Sequence, residues 1–389
     1  LFSQDLELTA PPAPKPHPAA LPVLKPRLPC AAELLPYLRA IDARRWYTNW
    51  GPLVTRLEEQ LSRHFRFSER SVITTANGTV GLTAALLARG VPAGSLCLMP
   101  SWTFVATPHA ARAAGLTPWF HDVDANTWAL NPGEVIESLK RLPGIVGSVM
   151  VVSPFGAPID IHAWEDFEER TGVPVIVDAA AGFDTLQASH IPFVVSLHAT
   201  KILGAGEGGF IATSDPKLRD RIMGCCNFGF TESRIATLPA LNGKMSEYHA
   251  AVALASLTKW PQIRALHLRI TEWYRQALHD LSLQPGYGLG WVTGTTSVLL
   301  PPGSAAWFSR KLLKAGIESR AWWGEGCHAQ PAFADCPRNP LPVTEDLGGR
   351  VLGLPHFPGM QPHDVAVVAG ALAEALRSRD LDRLRDAVL

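Results

Sequence analysis

Between Ser71 and Asp215 the chain alternates short apolar runs with stretches of helical spacing, and no other feature restricts its fold as tightly. The runs "SVITT", "SLCLMP", "LTPWFHDV", "SVMVVS", "VPVIVDAA", "FVVSLHATK" and "GGFIATSD" are interleaved with "TVGLTAALLARG", "FVATPHAARAAG" and a helical pattern near 161–171. Strands alternating with helices build crossover units, so the expected fold is α/β, with a mostly parallel central sheet between helices. In open sheets of this kind ligands gather at the carboxyl ends of the strands. Asp178 and Lys201 fall at or just beyond such ends, which makes them the first candidates for chemistry.

Upstream, a helical pattern begins near Glu33, breaks at "YTNWGP" and resumes in "LVTRLEEQLSRHF", where Leu53, Leu57, Leu61 and Phe65 recur every fourth residue and should bury one face. Downstream, a long helix is expected over about 262–281, then weaker strand and helix patterns in "TSVLLPPG" and "AAWFSRKLLKAGI", then a final helix from about 362. A chain of 389 residues exceeds what one core usually serves. Three parts are therefore expected: an N-terminal arm over 1–30, a large domain over 31–260 and a smaller C-terminal α+β domain over 261–389. Residues 11–29 carry eight prolines, which suits an extended arm lying on a surface or on a partner.

Lys and Arg total 35 against 35 Asp and Glu, so no excess of positive charge argues for a nucleic-acid partner. No run of eighteen apolar residues is present, and the start "LFSQDLELTAPPAPKPHP" lacks the basic and apolar regions of a secretory leader. A soluble, cytoplasmic protein with a small-molecule partner is the expectation. Six cysteines without a C-x-x-C pair suggest neither a disulfide framework nor a metal site, and Cys225 and Cys226 read as buried thiols rather than a redox pair.

Three features carry candidate chemistry. In "TTANGTVGL", Asn77, Gly78 and Thr79 stand where a strand passes into a helix, and exposed amides there could hold a phosphate or simply cap the helix. The apolar run "VPVIVDAAAG" ends in Asp178, whose carboxylate, if buried, needs an arginine, a helix terminus or a protonated ring nitrogen. Twenty-three positions later Lys201 precedes glycines at 204, 206, 208 and 209, which allow close approach of backbone to a ligand. A lysine that attacks carbonyls must lose its proton, so burial or nearby positive charge should lower its pKa.

With these features in order, and with "NWGPLVTRLEEQL", "PSWTFVAT", "SLHATKILGAGEGG", "NGKMSEYHAA", "HAQPAF" and "LGLPHFPGM", the chain resembles the DegT-type sugar aminotransferases from about Leu21 to residue 375. These are pyridoxal 5′-phosphate (PLP) enzymes of fold type I, the aspartate aminotransferase-like fold. The resemblance implies that Lys201 carries the cofactor as a Schiff base and moves the substrate proton, while Asp178 pairs with the ring nitrogen. It likewise implies Phe104 as the stacking aromatic, Gly78, Thr79 and Ser196 as phosphate contacts, and Asn242 as a residue supplied by the other subunit of a homodimer with shared sites. On residues alone, Asn242 serves equally as a cap for a helix starting near Met245.

One position departs from the pattern: after "DAA" the family carries His or Gln, and this chain carries Ala181. His198 either orients Lys201 or packs beneath it, and Glu207 either lines the donor site or forms a buried pair. Trp50, Trp322, Trp323 and His328 are candidate sugar-nucleotide contacts, with a domain interface as the alternative for the tryptophans. The implied reaction is amination of a keto sugar on a nucleoside diphosphate, position 4 of a 6-deoxyhexose first and position 3 next. L-glutamate would be the donor, leaving as 2-oxoglutarate while PLP cycles with pyridoxamine 5′-phosphate. A cyclitol ketone as substrate and a non-catalytic sensor of PLP or sugar are the alternatives.

Overall fold

A computed structural model describes residues 21–281, 285–287 and 290–386, so the first twenty residues of the expected arm lie outside the described part. In chain order the elements are α1 (Ala31–Arg44), α2 (Pro52–His64), β1 (Val72–Thr75), α3 (Gly78–Arg89), β2 (Leu96–Pro100), α4 (Ala106–Ala113), β3 (Thr117–His121), α5 (Pro132–Leu139), β4 (Val146–Val152), α6 (Ile161–Thr171), β5 (Val175–Asp178), β6 (Phe193–Ser196) and β7 (Gly209–Ala212). They continue with α7 (Pro216–Cys226), α8 (Glu247–Thr258), α9 (Trp260–Leu278), β8 (Pro285–Tyr287), β9 (Thr296–Leu299), α10 (Ala305–Lys314), α11 (Pro342–Gly348), β10 (Val351–Leu354) and α12 (Pro362–Asp386).

The main sheet has the order β1-β7-β6-β5-β4-β2-β3. Its members β3, β2, β4, β5 and β6 pair in parallel, as expected, whereas β7 is antiparallel to both β6 and β1. Reversing β7 leaves β1 running with the other strands. The carboxyl ends of β1, β2, β4, β5 and β6 and the start of β7 therefore share one edge of the sheet. The parallel strands are buried on both faces, which is why "SVMVV" and "VIV" read as unbroken apolar runs rather than alternating ones.

Leu53, Leu57 and Leu61 on α2 are buried in the core on one side of the sheet, with Phe65 packed against them. Helix α9 begins at Trp260, so Pro261 sits inside its first turn, where a missing N–H costs nothing. A three-stranded sheet, β10-β9-β8, packs with α9, α10 and α12 around Ile270, Tyr274, Phe308, Leu312, Leu352 and Val368. The described end of the arm lies on this unit: Leu21 bridges Ile317, and the Val23 carbonyl accepts from the His356 amide at 3.1 Å. All six cysteines are free thiols, and every one but Cys30 is buried. Among the described residues no helix is long and apolar enough to cross a membrane, and no group of side chains could hold a metal ion.

Candidate active site

The shared edge collects the turns that follow β1, β2, β4, β5 and β6. Asp178 closes β5 and is 5% exposed. Its Oδ2 accepts the Thr107 hydroxyl at 2.7 Å, its Oδ1 accepts the Ala180 amide at 3.1 Å, and Thr103 backs Thr107 through a 2.8 Å hydroxyl contact. Among the described residues no arginine pairs with it. Burial pushes this carboxyl above the ordinary range, opposed by the Thr107 and Ala180 donors and by the charge of Lys201. Sequence reasoning missed Thr107, whose only signal is its place one turn into the helix after "PSWTF".

Lys201 sits on a turn closed by the Leu197 amide on Gly208 at 2.9 Å and the Ala199 amide on Gly206 at 2.8 Å. Gly206 and Gly208 have φ of 87° and 153°, and a Cβ on Gly208 would stand 2.8 Å from Met245 Cε, so side chains are excluded there. The residue as a whole is half-buried and its amine is the deep end. Burial lowers the amine below the usual lysine range, and the Asp178 carboxylate opposes that shift. The two charges thus lean toward each other across the ends of β5 and β6, while their surroundings resist both.

Asn77 caps α3 by accepting the Val80 amide at 2.9 Å, which leaves the first-turn amides of Gly78 and Thr79 among those a helix cannot satisfy internally. A Cβ on Gly78 would lie 3.2 Å from the Ser196 Cβ, and one on Gly209 would lie 3.0 Å from the Gly78 nitrogen. Backbone, not side chain, lines this cradle. Phe104, which follows β2, is 58% exposed although Trp102 and Thr103 before it are buried. An exposed aromatic face beside a buried carboxylate, a depressed amine and an anion-ready helix end is an arrangement suited to a flat, anionic, basic ring.

The remaining candidates divide. Asn242 is exposed, and Ser246, accepting from the His249 amide, caps α8 in its place. His198 Nδ1 accepts the Thr200 amide at 3.3 Å, so its Nε2 faces Glu207 at 3.7 Å. That pair is open to solvent on both sides, so the buried pair expected of Glu207 is corrected to a surface contact. Trp50, at φ 51°, hydrogen-bonds the buried Glu58 and packs against both faces' cores, which gives it a partner away from the strand-end residues. Burial raises that Glu58 carboxyl to about 7. Trp323 stacks on Phe155 at 4.2 Å and meets Trp102 edge-on at 5.3 Å, and Trp322 packs with the same cluster. His328 Nδ1 bonds the Ser101 hydroxyl at 2.8 Å, tying it to the turn after β2. Ala181 is half-buried and offers no polar side-chain atom.

Comparison with known proteins agrees with this geometry. The model of the DegT/DnrJ/EryC1/StrS aminotransferase family matches residues 30–373. Protein Rv3402c of Mycobacterium tuberculosis is 31% identical over 372 residues, spanning 91% of this chain and 90% of that protein. A Shigella dysenteriae protein named dTDP-4-amino-4,6-dideoxy-D-glucose transaminase is 32% identical over 267 residues, 67% of this chain and 71% of its own. The crystal structure of DesI in the presence of its TDP-sugar product superposes with a TM-score of 0.84 at 31% identity, covering 94% of this chain and 95% of that one.

Proposed function

The chain belongs to the DegT/DnrJ/EryC1/StrS aminotransferase family and is a PLP-dependent aminotransferase, and from that premise we propose that it aminates a keto hexose carried on a nucleoside diphosphate, with L-glutamate as donor. The observation that carries the reading is the pair at the sheet edge: a lysine amine depressed by burial, facing a buried carboxylate that no arginine neutralises. A lone buried carboxylate of raised pKa is a poor design unless a cation arrives to complete it. The protonated nitrogen of a PLP ring is such a cation. The Gly78 and Gly209 cradle, which any Cβ would fill, fits its phosphate, and the open face of Phe104 fits its ring.

When bound, PLP supplies an electrophilic carbonyl carbon and an electron-withdrawing ring. The chain supplies the rest. Lys201, kept short of its full charge, accepts and returns the proton at the substrate carbon that gains or loses nitrogen. Asp178, oriented by Thr107 and Ala180, holds a proton on the ring nitrogen. Gly78, Thr79 and Ser196 bind the phosphate, and Asn242 of the partner subunit reaches the same phosphate. Trp323, His328 and Trp322 stand on the β2 and β4 side of the edge, where an aromatic wall favours a methyl over a hydroxymethyl substituent, in line with a 6-deoxy sugar. The division of the chain near residue 260 belongs to the same proposal, since α9 lends Trp260 to the core beside the large sheet and Tyr274 to the core beside the small one.

The test is a screen of purified protein with L-glutamate against nucleoside diphosphate 4-keto and 3-keto 6-deoxyhexoses, reading 2-oxoglutarate release and product mass. Glutamate-dependent conversion of a 4-keto sugar nucleotide is expected. Turnover of a free cyclitol ketone with all sugar nucleotides inert would replace the substrate assignment.

Sharing of sites is tested by subunit exchange. Lys201→Ala and a bulky variant, Asn242→Trp, are each expected to be inactive alone. Mixed dimers would hold one wholly intact site and regain part of the activity. No recovery despite demonstrated exchange places Asn242 with its own chain's site, a geometry that the bond from the Ala76 amide to the Gly243 carbonyl, at 2.7 Å, makes a real alternative.

A further inference from the structure

Glu247 is 1% exposed, and among the described residues no lysine or arginine pairs with it. Its two carboxylate oxygens accept the amides of Leu53 and Val54 at 2.9 and 2.8 Å, at the first turn of α2. The Gly51 cap of that helix has no side chain to offer, so a carboxylate nearly two hundred residues away in sequence satisfies the amides and meets the positive end of the helix dipole. The amide of Glu247 donates to the Tyr47 carbonyl at 2.9 Å. A Cβ on Gly51 would stand 2.7 Å from the Glu247 Cδ, so the turn after "YTNW" is shaped around this one side chain.

The segment leading to Glu247 is fixed at its other end as well. The Leu241 and Gly243 amides donate to the Cys225 and Cys226 carbonyls, each at 2.9 Å, and the Gly243 carbonyl accepts the Ala76 amide just before the Asn77 cap. Between the two anchors, Met245 is buried against Gly208 of the lysine turn, while Asn242 faces solvent. Segment 241–247 is thus a strut stretched between the phosphate-side turn and the start of α2, with Asn242 as its free side chain.

We infer that Glu247 is a positioning residue for cofactor binding: by fastening the strut to α2 it fixes the place of Asn242, and so sets how well the cofactor phosphate is held. This rests on the proposed contact of Asn242 with that phosphate. A buried charge spent wholly on two backbone amides costs desolvation that an apolar packing residue would avoid, and what it gives in return is a directional, two-point attachment.

The test measures dissociation constants of PLP and of pyridoxal, which lacks the phosphate, in otherwise native dimeric protein. Their ratio reads the phosphate contacts alone. Asn242→Ala is expected to reduce the preference for PLP by about 10-fold or more, the range for losing a hydrogen bond to a charged group. Glu247→Gln keeps the volume and one acceptor oxygen but turns an amide group toward an amide donor. It is expected to reduce the same ratio, with the double variant no worse than Asn242→Ala alone. Gly51→Ala, which crowds the carboxylate without removing it, should move the ratio in the same direction and serves if Glu247→Gln is poorly folded. A ratio unchanged in Glu247→Gln and Gly51→Ala while Asn242→Ala lowers it, or effects of Glu247 and Asn242 that multiply, would overturn the inference. An unchanged ratio in Asn242→Ala marks failure of the phosphate contact itself, and the positioning role falls with it.

Discussion

Lys201→Ala is expected to lower transamination by at least about 10⁴-fold, since it removes both a covalent anchor and the group that moves the proton. Folding should survive. The side chain leaves a turn held by the backbone bonds of Leu197 to Gly208 and Ala199 to Gly206, none of which uses the amine, and no apolar cavity opens. What changes locally is the balance at Asp178, which loses the one charge that pulls its carboxyl back toward the ordinary range. The variant should therefore keep its circular dichroism and dimerisation, and lose the absorbance shift that lysine-bound cofactor gives. Partial return of turnover with a small primary amine in solution would place the defect in the missing base. Near wild-type turnover of the purified variant would reject Lys201 as the reagent.

The elements that carry the site were legible because strand ends and helix starts leave local marks. Asn77 followed by Gly78 and a helical pattern announces a capped N-terminus, and Asp178 at the end of an unbroken apolar run announces a buried carboxylate. Lys201 was legible for the glycines that follow it, which relieve a turn of positive φ. Nothing local reveals that β7 runs against its neighbours, because a short buried strand has the same composition in either direction. Thr107 was missed because a hydroxyl on the first turn of a helix is more often a cap than a carboxylate's partner. Glu247 was missed for a similar reason: in sequence it is an acidic residue at a helix start, favourable for its own dipole, and only the fold shows it serving another helix. Glu207 and His198 illustrate the converse, since their pairing follows from the closing of one turn but their exposure depends on how much of the chain covers that turn.

Asp178→Asn is expected to cut turnover severely while leaving the apoprotein as stable as the wild type or more so, and the divergence of the two readouts is what identifies the role. The substitution is close to isosteric, and the surroundings can accept it. The Asn oxygen can keep the Ala180 amide, its NH₂ group can donate to the Thr107 hydroxyl, and that hydroxyl can turn its own proton to Thr103, with which it is already in contact at 2.8 Å. Hydrogen bonding is conserved and charge alone is lost. In the apoprotein that charge is a liability, because burial raises the carboxyl's pKa. The folded state then holds the proton longer than the unfolded chain, so stability falls as pH rises through the carboxylate range, and the amide is free of this penalty at neutral pH. With cofactor bound the sign reverses, since a neutral amide cannot keep a proton on the ring nitrogen and the developing negative charge loses its sink. Thermal melts of apoprotein from pH 5 to 8 should show the variant at or above the wild type, with the gap widening as pH rises, while steady-state turnover falls well over tenfold. A loss in turnover below about tenfold, roughly 1.4 kcal/mol of barrier, would make Asp178 a structural carboxylate held by Thr107 and nothing more.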